Sequence, residues 1–199
     1  MTQAETQQVA RSGTLVWIFR ILVIAAGAYM AYSWFQPWWI ADMAVIKGDN
    51  DIVLHPWGVE VVRQVRVQAD PALYEMPGFF APFTWVYFSL AMLALVVSLF
   101  WKKTISLGRF KVSYATIMIL LVGLSYLITV GLAYGIGNIR AEATGINFIG
   151  KSEYTDPMSH RKMKLVADLQ IGYWHAVYAA AALFVLGLLR GLFNRTQKA

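Results

Sequence analysis

Apolar residues in this chain gather into four long runs, separated by polar segments of very unequal length. A helix needs about 20 residues to cross roughly 30 Å of hydrocarbon. Residues 15–36, 82–101, 112–137 and 171–193 all meet that length, and the second and third runs hold no charged residue. Tryptophan and tyrosine flank the runs, as at Trp17, Trp34, Trp85, Trp101, Tyr114, Tyr134, Tyr173 and Trp174. Such rings settle at headgroup depth. The pattern predicts an all-α integral membrane protein with four transmembrane helices. Between and around them lie an N-terminal segment (1–14), a first long loop (37–81), a short loop (102–111), a second long loop (138–170) and a tail (194–199).

Period-two patterning appears in the first long loop. Val59, Val61, Val65 and Val67 alternate with Glu60, Gln64 and Arg66, as on a half-buried strand. Residues 43–46 and 52–54 flank the turn-forming stretch 47–51, and His55-Pro56-Trp57-Gly58 turns the chain again. The expectation is a small antiparallel β element confined to this loop. In the second loop, Gly137-Asn138 is expected to close the third helix. Asp156-Pro157 is expected to restart a helix leading into the fourth. Four helices with a large strand-bearing first loop resemble the layout of claudin-like proteins. The chain lacks the paired cysteines of that family's first loop, so no residue or function is carried over.

Composition agrees with a lipid environment. The chain has 199 residues, of which 58% are hydrophobic and 14% charged. A soluble domain carries about 25% charged residues. With no cysteine, a disulfide scaffold, a zinc finger and a cysteine nucleophile are excluded.

The net charge of +6 reads first as a nucleic-acid signal, but its distribution says otherwise. Arg11, Arg20, Lys102, Lys103, Arg109, Lys111, Arg190, Arg195 and Lys198 flank one side of the four runs, against the single acid Glu5. The two long loops hold the other ten acids and the other eight basic residues. By the positive-inside rule, both termini and the short loop are cytoplasmic and both long loops lie outside. This predicts a multi-pass protein of the plasma or inner membrane that contacts anionic lipid and has no nucleic-acid partner. Ala26-Gly27-Ala28 looks like a signal-peptide cleavage site. The apolar run continues past it through Met30 to an aromatic cluster, which favours a retained helix.

Small residues suggest how the helices pack. Gly131 and Gly135 form a small-xxx-small pair on the third run with Gly123 further back, and Gly187 and Gly191 form another on the fourth. Such faces let helix backbones approach closely. Packing is expected within the chain first, and between chains as the alternative.

Candidate chemistry lies outside the spans. Thioether and imidazole ligands suit copper, which makes His160, Met158, Met163, His175 and His55 a candidate outer-face ligand set. Asp168, seven residues before His175, is expected on the same helical face. Haem held by two intramembrane histidines is excluded, because the spans contain only His175. The spans lack ionisable residues and proline in their central parts, which argues against a channel or carrier. The leading expectation is a non-catalytic subunit or assembly factor of a larger membrane complex, partnered by other subunits or by itself. Copper handling as part of a membrane oxidase or monooxygenase is the alternative, and a small channel or carrier is the third.

Overall fold

A computed structural model of the chain describes residues 3–43, 51–61, 74–101, 103–107, 110–155, 160 and 162–196. The four apolar runs are helices: α1 (Gln3–Trp34), α2 (Phe80–Phe100), α3 (Tyr114–Ala143) and α4 (Ile171–Thr196). Each contains a stretch long and apolar enough to cross a membrane, namely Thr14–Trp34, Phe80–Phe100, Tyr114–Ala143 and Ile171–Arg190. Every helix buries one stripe at a spacing of three and four residues. On α2 the stripe is Thr84, Phe88, Ala91, Leu95 and Ser98. Val23, Met30 and Trp34 of α1, Ile119, Tyr126 and Val130 of α3, and Ala176, Ala179, Ala180 and Leu183 of α4 complete the bundle core.

The all-α expectation is overturned. Strands β1 (Trp39–Asp42), β2 (Ile52–His55), β3 (Gly58–Val61), β6 (Gly150–Thr155) and β7 (Lys162–Leu169) form one antiparallel sheet in the order β3-β2-β1-β7-β6. The sheet therefore draws on both long loops, not on the first alone. Strands β4 (Thr104–Leu107) and β5 (Phe110–Ser113) make a separate hairpin at the opposite end of the bundle, where a plain connection was expected. The expected strand through Val67 and the hairpin turn at 47–51 fall mostly outside the described residues. The turn at Pro56-Trp57 does connect two paired strands.

The expected helix beginning near Pro157 is likewise corrected, because Lys162–Leu169 is a strand. Met163, Leu165, Ala167 and Leu169 point toward the sheet core, while Lys162, Lys164, Val166 and Asp168 point away. Asp168 therefore lies on a strand and not on the His175 helix. Its Oδ1 accepts the backbone N–H of Leu169 at 2.8 Å.

Helix α3 also runs past Gly137-Asn138 to Ala143. It ends in a Schellman motif: Gly145 donates its backbone N–H to Glu142 and Ile146 to Ala141, at 3.0 and 2.9 Å. Gly145 adopts φ +73°, a conformation glycine reaches without steric cost. Gly137 serves a different purpose, since a Cβ there would lie 2.5 Å from the Phe148 ring. The missing side chain lets Phe148 dock on α3. Phe148 in turn stacks on Trp39 at 5.5 Å and accepts the Trp39 Nε1–H with its carbonyl. This contact seats the sheet on the end of α3.

The most extensive helix interface joins α3 to α4. At Gly123 a Cβ would stand 2.6 Å from the backbone nitrogen of Phe184, and at Gly187 it would meet the Leu120 side chain at 2.7 Å. Both glycines lie at the α3–α4 contact. At Gly131 and Gly135, among the described residues nothing lies within 4 Å of a Cβ. Gly191 lies within α4, and its surroundings fall outside the described residues.

The contrast is testable by unfolding the detergent-solubilised protein. Gly123→Ala meets backbone that cannot move aside, and is expected to cost about 1–3 kcal/mol by overpacking. Gly131→Ala meets open space among the described residues, and in the monomeric protein is expected to be neutral or to gain up to about 1 kcal/mol of helix propensity.

Candidate functional site

At the sheet end of the bundle α1 runs into a dense aromatic stretch, and Pro37 prevents the helix from continuing. Trp34 is fully buried and stacks on Phe88 of α2 at 4.5 Å. Trp85, one turn earlier on α2, meets the edge of Trp34 at 6.1 Å. Trp57, carried down by the β2–β3 turn, stacks on Trp85 at 5.4 Å. His55 stacks on Trp57 at 4.7 Å, with ring planes 10° apart. A continuous chain of rings thus runs from the sheet into the bundle core.

Polar contacts fix the same junction. Ser33 Oγ donates to the Met30 carbonyl at 2.8 Å and is hydrogen-bonded to the Tyr126 hydroxyl at 3.1 Å. Trp38 Nε1 donates to the Ser33 carbonyl at 3.0 Å. His55 Nε2 lies 3.9 Å from the exposed carboxylate of Glu60. His55 Nδ1 and Trp34 Nε1 are buried with no hydrogen-bond partner among the described residues. Arg140 sits beside the apolar recess between α3 and the sheet. It donates to Met76 Sδ at 3.0 Å and to the Glu75 carbonyl at 2.7 Å, which ties the segment before α2 to α3.

The residues expected to bind copper are dispersed. His55 belongs to the ring chain. His175, in the second turn of α4, packs against Tyr29 and Tyr32 of α1 at 5.0 and 5.6 Å. His160 is exposed, with φ +53°, just before β7. Met163 packs against the sheet core opposite Tyr154. Met158 lies outside the described residues. Among the described residues no three of histidine, aspartate and glutamate gather in a group able to hold a metal ion.

Sequence reasoning missed the ring chain and the Ser33–Tyr126 contact. The tryptophans read singly as headgroup anchors, whereas at this junction the rings pack against one another, some stacked and some edge-on. That arrangement joins the sheet to the bundle. It provides neither a base beside a nucleophile nor a paired carboxylate. Comparison with protein families and with curated proteins finds no match for this chain.

The Ser33–Tyr126 pair makes an asymmetric prediction for equilibrium unfolding. Ser33→Ala strands a buried phenol and is expected to destabilise by about 1–3 kcal/mol. Tyr126→Phe leaves Ser33 bonded to Met30 and is expected to cost less, about 0.5–1.5 kcal/mol. Adding Tyr126→Phe to Ser33→Ala should recover stability, and a strictly additive double variant would contradict the pairing.

Proposed function

We propose that the chain is a multi-pass protein of the plasma or inner membrane, with its termini and the β4–β5 hairpin in the cytoplasm. In this reading it is a non-catalytic subunit or assembly factor of a larger membrane complex. Four helices of spanning length and the one-sided basic charge support the location and orientation.

The observation that carries the assembly role is the outer face of α3. Leu121, Leu124, Ile128 and Leu132 are exposed there, and among the described residues nothing covers Gly131 or Gly135. A face that meets only lipid gains nothing from glycine, which costs about 1 kcal/mol per residue in a helix interior. Two glycines four residues apart, bordered by large aliphatic side chains, suit the close approach of another helix.

Native electrophoresis in mild detergent tests the reading. The protein is expected to migrate well above its own monomer mass. Gly131→Leu and Gly135→Leu should return it to the monomer, with its helical circular dichroism retained. A wild-type protein that migrates only as a monomer would overturn the proposal.

A further inference from the structure

Two arginines lie at the hairpin end of the bundle, Arg20 on α1 and Arg190 on α4. Arg190 of α4 lies over the Phe19 ring of α1, with its guanidinium carbon 5.1 Å from the ring centre. Its Nη1 donates to the carbonyl of Ser98 on α2 at 3.5 Å. Arg20, the residue after Phe19, lies 5.4 Å over Trp17. Helices α1 and α4 pack together, and the Arg190 contact with Phe19 therefore places the two arginines at the same level of the bundle. Two packed helices thus carry like charges at one level, and each head lies over an aromatic face.

Among the described residues no carboxylate is paired with either arginine. The ion pairs recorded among the described residues, His55–Glu60 and Lys162–Glu153, both belong to the sheet. Glu5 is the only acid in the segments flanking this end of the bundle. It precedes Arg20 by fifteen residues on the same helix, an axial distance of about 22 Å. The described residues thus supply no counter-ion, which leaves one from outside the chain as the fitting partner. The surroundings of Arg20 indicate its nature, because Trp17, Ile21 and Ile24 are exposed apolar side chains of the kind that face lipid. Guanidinium forks match phosphate oxygens in geometry, and arginine stems reach headgroup depth from within a span.

We propose that Arg20 and Arg190 together bind the phosphate of an anionic phospholipid in the leaflet at the hairpin end of the bundle. Arg190 is held in place by Phe19 and Ser98, so it forms the fixed half of the site. Arg20 forms the half that faces lipid. The inference rests on the membrane-spanning reading given above.

Native mass spectrometry of the full chain, released from nanodiscs of mixed phosphatidylglycerol and phosphatidylcholine, tests it. The wild-type protein should retain phosphatidylglycerol in preference to phosphatidylcholine. Arg20→Gln should weaken that retention about tenfold, as expected for loss of a charge-assisted phosphate contact. It leaves the Arg190 contacts to Phe19 and Ser98 in place, so the bundle should still fold. Arg20→Lys keeps the charge without the fork and should fall between the two. Lys164→Gln, on the sheet, should change nothing.

Equal lipid retention by the wild-type protein and Arg20→Gln would overturn the proposal. So would saturation of the site by inorganic phosphate with no preference for lipid. Retention of a partner protein through these arginines in place of lipid would overturn it as well. Flotation with liposomes separates this failure from that of the membrane reading. A protein that fails to float defeats both, whereas one that floats without lipid preference defeats only the arginine site.

Discussion

Strand β1 has a hydrogen-bonding partner on each side, β2 on one and β7 on the other. The pairing begins one residue before the strand, where Trp38 donates its N–H to Leu54 and accepts from Gln170 with its carbonyl. Only the short connection through Pro37 separates this point from the end of α1. The centre of the sheet is therefore fixed to the helix that bears the Trp34 ring stack. The position of the β2–β3 turn, the descent of Trp57 onto Trp85 and the seating of Phe148 on Gly137 all follow from that attachment. Edge strands leave backbone groups unpaired. By occupying the middle, β1 leaves that condition to β3 and β6.

The helices were legible because their signal is local. Twenty apolar residues in a row read the same way whatever they later touch. The β2–β3 hairpin was legible for a similar reason, since its turn residues lie between its strands. The β1–β7 pairing depends on segments more than a hundred residues apart, and no short-range pattern announces it. The alternation Met163, Leu165, Ala167, Leu169 was visible in the sequence, but the cationic residues around it and the nearby Asp156-Pro157 favoured a helical reading. The glycines show a related limit. Their spacing marked Gly123 and Gly131 alike, yet only the structure separates the one pressed against Phe184 from the one facing open space.

Polar residues within the helices follow a common pattern. Ser33, Thr84, Ser98, Ser125 and Thr129 each donate to a carbonyl three or four residues earlier on their own helix. This satisfies the hydroxyls locally. Two of them also reach across the bundle, Ser33 to Tyr126 and Ser125 to the Tyr87 hydroxyl. The hydroxyls therefore serve as fastenings between α3 and its neighbours. They do not form a polar pathway along the bundle.

The central strand also imposes an order on biosynthesis. Asp42 and Val166 are paired although 124 positions separate them. At synthesis rates of about 5–20 residues per second, β1 waits roughly 6–25 s for β7 to be made. Through that interval its second edge is unpaired, while α2 and α3 are still being added. The nascent chain thus carries an exposed strand template beside Trp39 and Ile40, and it stays vulnerable to mispairing until the last loop closes the sheet.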